Sequence, residues 1–577
     1  MKILREYLDR NDWRKLLLEL LAVAAVAGFI FFHGLGAIGL TGADEPRYAQ
    51  IAREMFHRHD WITPTLWGDP WLEKPALYYW RAMVAYDTFG VHDWSARLPS
   101  ATFAFGMVWI IYFHMRRFRP GAQLDAALIT ASCAAVVGFS HGASTDMQLA
   151  APFVIGMLGW YAWFVTRRKL WLFDFYFFMA VGTLAKGPVA PALAAMIIIP
   201  FCLLRRRPWE WAKSLWLPGI ALFFAIALPW YVAVQHRNPQ FLHVFIFQHN
   251  LERFGTNLFQ HSQPFWYYAP VMLLALMPWA FIAALAVWDA LRESIRQWRV
   301  SERERAPEVI GDAFPEFLTL WVFIPVIFFT LSRSKLPGYI LPAVPPCTIL
   351  AADYLARLRR RSNVDVEETP TSISLVAPKP VFVRMDTGTR SVPKLIVFLH
   401  ALVTGTLVGV GLLLPYVAAE RQSPPALAKT IAALLAAATL LFIYFAVVRR
   451  GAALLRFATL VPILFTLWFL ENPAAHVLDE AYSSRPLAAQ LQQLDTAGDP
   501  VAVFHVRREV EFGLGYYRDQ RIPSYDRNEI PLGEHFVVLP QSLEYEKKLI
   551  GRIGDRAAFH VGNYPAQKLE IYRIAAR

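Results

Sequence analysis

The feature that most constrains this chain is a succession of apolar runs long enough to cross a bilayer. A membrane helix needs about 20 apolar residues to span a hydrocarbon layer about 30 Å thick. Such runs fall at roughly 16–38, 98–115, 124–140, 147–166, 170–185, 187–204, 215–235, 266–288, 317–332, 338–356, 395–417, 427–448 and 453–470, thirteen candidates. Charged residues are only 18% of the chain and hydrophobic residues 56%; a soluble protein carries about 25% charged residues, so an ordinary soluble enzyme is excluded. An aromatic content of 15% excludes disorder. Cys133, Cys202 and Cys347 all lie inside apolar runs and give no disulfide framework.

A net charge of +12 could point to nucleic acid, but its placement points elsewhere. Basic residues gather at Arg116, Arg117 and Arg119, at Arg167–Lys169, at Arg205–Arg207, between Arg292 and Arg305, between Arg357 and Arg361, and at Arg449 and Arg450. They mark alternate loops, which the positive-inside rule makes cytoplasmic together with the N-terminus. No nucleic-acid partner is then needed. Lys2, Arg5, Arg10, Arg14 and Lys15 precede a first apolar stretch too long for a signal-peptide core, so an uncleaved first span is expected. An odd number of spans puts the C-terminus on the outer side.

The expected fold is a polytopic α-helical membrane protein of about thirteen transmembrane helices with a small soluble α/β domain. Residues 1–470 form the membrane domain, with outer loops at 39–97 and 236–265. Residues 471–577 form the outer domain, in which Val501–Val506, His535–Pro540 and Leu569–Ile574 read as strands and Pro486–Leu494 as a helix. Residues 362–394 read as a cytoplasmic connector.

Residues capable of chemistry collect on the outer side. Gly42–Met55 opens with Asp44, a candidate helix N-cap with Pro46 in the first turn. Tyr48, Ile51, Ala52 and Met55 then form a stripe that would lie along the membrane surface. Asp44 either does chemistry or only caps the helix, with Arg47 as its ion-pair partner. In Trp71–Trp80, Pro75 reads as a first-turn residue, Glu73 and Lys74 stand at the helix mouth, and Tyr78, Tyr79 and Trp80 suit interfacial anchors. Asp146 closes a short outer turn. Lys186 interrupts nearly continuous apolar sequence, either as a functional group or as a side chain snorkelling to the interface. His249, Arg253 and His261 lie in the second loop, where the histidines either bind metal or hydrogen-bond locally. Lys335 and Tyr339 flank a Pro–Gly turn. No nucleotide-binding loop, nucleophile elbow or zinc-protease helix is present. An activated lipid phosphate is the remaining energy source.

Four segments together carry a resemblance: Asp44-Glu45-Pro-Arg47-Tyr48-Ala, Asp60–Pro64 with Gly68 and Glu73-Lys74-Pro75, Leu184–Pro188, and Ser334–Pro342. The chain resembles the bacterial C-type (GT-C) glycosyltransferases, and within them the lipid A aminoarabinose transferase family. The Asp-Glu opening alone is shared with protein O-mannosyltransferases. The resemblance implies transfer of 4-amino-4-deoxy-L-arabinose from undecaprenyl phosphate to lipid A phosphates at the periplasmic face of the inner membrane, which weakens polymyxin binding. It implies a catalytic set of Asp44, Glu45, Arg47 and Asp146. The donor phosphate would be held by Lys74 and Arg253, with Lys186 beside them and Lys335 and Tyr339 on the coil closing the pocket. Glu73 and His249 would match a metal site, to which His261 is added by proximity. No cofactor is expected for the chemistry; a zinc ion there would be structural. A monomer is expected. Two other readings stay open: a transferase moving a neutral hexose to protein or glycan, and a lipid or sugar transporter. A transporter more often shows inverted repeats with ionisable groups near the bilayer midplane, whereas here these groups lie toward one face.

Overall fold

A computed structural model describes residues 10–245, 263–303, 311–367, 392–419, 424–451, 454–495 and 498–577. The basic residues Lys2 and Arg5, most of the 362–394 connector, and His249, Arg253 and His261 lie outside the described residues. Eight described helices are long and apolar enough to cross a membrane, or up to eleven if each of three bent pairs is one span. The 170–204 stretch forms two shorter helices, Leu170–Lys186 and Val189–Leu204. The chain is a multi-pass membrane protein.

Two expected continuous spans are broken. Gln123–Ala131 and Ala134–Ser140 meet at 61°, and Tyr268–Ala275 and Ala280–Ser301 at 112°. The two breaks lie against each other. Ala134 N–H donates to the Met277 carbonyl at 2.8 Å, and Trp279 Nε1 donates to Ser132 Oγ at 2.8 Å. An unsatisfied backbone group in hydrocarbon costs several kcal/mol, so irregular backbone persists here because each break supplies the other's partners. Each bent pair is still one apolar stretch by length and composition, so hydropathy could not show the breaks.

At one end of the bundle the first loop folds into a layer of its own. The hairpin of β1 (Thr65–Leu66) and β2 (Asp69–Pro70) separates the helices Asp44–His57 and Leu77–Phe89. Tyr48, Ile51, Met55, Tyr78, Tyr79, Met83 and Tyr86 pack between these helices together with Tyr516 of the C-terminal domain. Asp44–His57 therefore does not lie open along a membrane surface: ten of its fourteen residues are buried. Tyr78 and Tyr79 are 0% exposed, so they are core residues rather than interfacial anchors.

The C-terminal region forms a four-stranded sheet ordered β3 (Val501–Val503), β4 (His535–Pro540), β6 (Leu569–Ile574), β5 (Ala558–Tyr564). β3 and β4 are parallel, and the other pairs are antiparallel. Alternate side chains serve opposite faces: Val501 and Val503 join Leu487, Leu491 and Leu514 on one side, while Ala502 and Phe504 join Leu549 and Ile553 on the other. β5 was not legible, since its residues are mostly part-exposed and give no alternation. The sheet domain is tied to the first loop through Arg53–Asp519 at 2.8 Å and Arg485–Asp93 at 2.8 Å, and by Tyr517 Oη donating to Asp93 at 3.0 Å.

Candidate active site

Two helices open on an aspartate at the loop-bearing end of the bundle. Asp44 is the first residue of Asp44–His57, and Asp146 is the first of Asp146–Thr166. A helix N-terminus favours negative charge by up to about 1 kcal/mol at an exposed site. Neither aspartate caps its helix: the N-cap positions are Ala43 and Thr145, without a side-chain cap bond. Asp44 instead accepts from Arg47, one turn on, with its own side chain 61% exposed.

Arg47 is buried, and its guanidinium lies over Trp71 at 4.9 Å, Tyr48 at 5.4 Å and Phe512 at 5.5 Å. Burial opposes its charge, but the carboxylates of Asp44 and Glu73 nearby help hold it above the ordinary arginine value. Tyr48 is buried among Asp44, Arg47, Glu73 and Asp146. Burial first, then Asp44, pushes its hydroxyl well up, so it stays protonated. Three polar atoms around this point are buried without a hydrogen bond among the described residues: Arg47 Nε, Trp71 Nε1 and Tyr79 Oη. Buried polar groups are nearly always satisfied, so these mark where a polar ligand would sit.

Asp146 joins this group to a second. Lys186 Nζ donates to Asp146 Oδ1 at 2.5 Å and stands 5.9 Å from the centre of the Tyr339 ring. The 3-10 turn Pro337–Ala343 presses against the pair. A Cβ on Gly338 would sit 2.4 Å from Asp146 Oδ1, so only glycine lets the turn approach. Lys335 points inward, donating to the Ser332 carbonyl at 2.7 Å.

The structure thus gathers Asp44, Arg47, Glu73 and Asp146 around Tyr48, with Lys186 joined to them through Asp146, Tyr339 next to Lys186, and Lys74 beside Glu73 in the turn before Leu77–Phe89. Pro75 precedes that helix rather than entering it. Glu45 departs from the catalytic set. Its Oε1 accepts from Arg97 Nε at 3.0 Å and Ala143 N–H at 2.6 Å. Its Oε2 accepts from Arg97 Nη2 at 2.7 Å, and from Thr41 N–H at 2.8 Å and Oγ1 at 3.1 Å. Burial would raise this carboxyl, but Arg97 and the two amides overcome it and hold Glu45 below the usual range. Its lone pairs are committed, so it positions the loop. The sequence reading missed Arg97, Gly338, Trp71 and Tyr79 as site-forming residues. Tyr79 suits an interfacial anchor in the sequence, and no local signal marks the other three.

Among the described residues, no group of three His, Cys, Asp or Glu side chains could hold a metal ion. Of the expected ligands only Glu73 is among them, so the described residues do not build the zinc site and no chemistry is routed through it.

This fold has a solved counterpart. The crystal structure of ArnT from Cupriavidus metallidurans bound to undecaprenyl phosphate superposes with a TM-score of 0.72, covering 98% of each chain at 22% identity. The chain has the ArnT fold. A curated undecaprenyl phosphate-alpha-4-amino-4-deoxy-L-arabinose arabinosyl transferase from Pseudomonas aeruginosa strain UCBPP-PA14 is 31% identical over 362 residues, 61% of each chain. One of the same description from Serratia proteamaculans is 31% identical over 340 residues, 56% of this chain and 58% of the relative. The chain thus spans about 60% of the length of the curated relatives it matches. Residues 73–232 match the family model described as dolichyl-phosphate-mannose-protein mannosyltransferase.

Proposed function

We propose that this protein is a glycosyltransferase of the bacterial inner membrane. It moves 4-amino-4-deoxy-L-arabinose from undecaprenyl phosphate to lipid A phosphates on the periplasmic face, and the added amine weakens polymyxin binding. The observation that carries the reading is the 362-residue match to a relative named for that donor and sugar. The site fits it chemically. Asp44 and Asp146 supply two carboxylates that suit the sugar's ammonium or positive charge developing at the anomeric carbon. Lys74, with Arg253, stabilises the departing undecaprenyl phosphate. A lipid A phosphate is already an anion near neutral pH and attacks without a general base, so one direct displacement inverts the anomeric centre.

The matched mannosyltransferase model favours one second reading, hexose transfer to a protein hydroxyl. A hydroxyl must lose its proton to attack, and Asp44 would then serve as base. Mass spectrometry of lipid A from cells with and without this protein separates the two. Aminoarabinose on lipid A only in its presence supports the proposal; unchanged lipid A with glycosylated protein supports the alternative. In this account residues 471–577 face the periplasm, so alkaline phosphatase fused after residue 577 is active; an inactive fusion rejects that orientation.

A further inference from the structure

We propose that the groove around Arg81, on the face of the Leu77–Phe89 helix turned away from Tyr79, binds the phosphate of an anionic membrane phospholipid. This site is separate from the donor pocket and does not rest on the function proposed above. Residues two apart on a helix lie about 200° apart around it, so Arg81 leaves the helix opposite to Tyr79. Arg81, Val84 and Thr88 share one face by their spacing of three and seven residues. They line an open groove of about 330 Å³ with Trp61, Phe89 and Leu98.

The walls are apolar and open, with Trp61 49%, Val84 54% and Phe89 49% exposed. At the base lies a cation that no described carboxylate pairs with. Arg81 Nη1 donates to the Pro99 carbonyl at 2.7 Å and to Gln148 Oε1 at 2.6 Å, and Nη2 donates to Thr102 Oγ1 at 2.5 Å. Its guanidinium stacks 3.5 Å from the centre of the Phe103 ring. A guanidinium carries five N–H donors, so two remain, on Nε and Nη2, without a partner among the described residues. No described carboxylate pairs with it; burial alone acts on it, lowering it to about 9, so it stays cationic at neutral pH.

The position of the groove selects its occupant. The helix Asp93–Phe118 has 26 residues, a length of about 39 Å against a hydrocarbon layer of about 30 Å. Pro99 and Thr102, in its second and third turns, therefore stand near one headgroup boundary. A cation there, flanked by exposed aromatic and aliphatic side chains, meets lipid. A phospholipid phosphate can take both remaining N–H groups in a forked arrangement.

Native mass spectrometry of the purified full-length protein tests this. Phosphatidylglycerol should bind at a concentration at least tenfold lower than phosphatidylcholine with the same chains. Arg81→Gln should remove that preference. Because Arg81 also braces three backbone and side-chain groups, Val84→Glu is the cleaner variant. It changes an exposed residue and gives Arg81 a carboxylate one turn away, so it should abolish the preference while the melting temperature stays at the wild-type value. Thr88→Glu, one turn further along the same face, provides the same test should Val84→Glu fail to fold. No preference in the wild type, or an undiminished preference in the folded glutamate variant, overturns the proposal. So does displacement of the phosphatidylglycerol by excess undecaprenyl phosphate, which would place that lipid in the donor pocket.

Discussion

Replacing Glu45 with glutamine leaves the shape of the side chain unchanged and removes its charge, which isolates what the carboxylate does. Both oxygens accept only from donors: Arg97 and Ala143 on one side, Arg97 and Thr41 on the other. Whichever way the amide turns, its NH2 faces N–H groups, and Arg97 is left buried beside a neutral partner. Removing one partner of a buried pair costs roughly 3–5 kcal/mol. In a cooperative unit of 150–250 residues each kcal/mol moves Tm by roughly 2–4 °C, so Glu45→Gln should melt roughly 6–20 °C lower. The sign with pH follows from Glu45's lowered value. Its stabilisation is complete above the unfolded value of 4.5 and disappears as pH falls through the lower folded value. The gap between wild type and Glu45→Gln should therefore close in acid. Thermal unfolding of detergent-purified protein between pH 3 and pH 8 measures this, with sugar transfer assayed on the folded fraction. A variant that melts with the wild type yet no longer transfers sugar would refute the clamp and return Glu45 to the chemistry.

Asp44→Asn should lower transfer by about 10²–10³-fold, the scale of losing one electrostatic stabiliser, while still retaining undecaprenyl phosphate; Lys74→Ala should instead weaken retention of that lipid. Near-normal turnover by Asp44→Asn would remove it from the mechanism. Gly338→Ala places a methyl 2.4 Å from Asp146 Oδ1, overpacking worth about 1–3 kcal/mol; Tm should fall by roughly 2–12 °C and transfer by the folded fraction at least tenfold, and unaltered turnover would show that the approach of the turn is dispensable. Elemental analysis of purified protein should find stoichiometric zinc that is lost in Glu73→Ala and His249→Ala, and zinc-free protein under zinc-replete conditions would exclude the metal site expected from the sequence.

What the sequence made legible followed from local signals. Hydropathy placed helices under every predicted apolar run, because burial in lipid is decided by composition over about 20 residues. Short runs rich in β-branched and aromatic residues found β4 and β6, whose residues face a core, but not the edge strand β5. The helix breaks near Ser132 and Met277 were hidden, since the Ala134–Met277 bond that sustains them joins residues far apart in the chain. The same reason applies at the site. Asp44, Asp146 and Lys186 stood out as charges in apolar or turn-forming surroundings, but the 2.5 Å contact between Lys186 and Asp146 could only come from the fold. Glu45 shows the converse: adjacent to Asp44 and of the same chemistry, it is turned by one helical residue into Arg97.

Purified protein, reconstituted with undecaprenyl-phosphate-linked aminoarabinose and lipid A, tests the central claim most directly. The expected result is lipid A carrying the sugar on phosphate with inverted anomeric configuration, release of undecaprenyl phosphate, and product lowered by about 10²–10³-fold with Asp44→Asn. Donor left intact by folded wild-type protein, or sugar transferred to a hydroxyl in place of a phosphate, would contradict it.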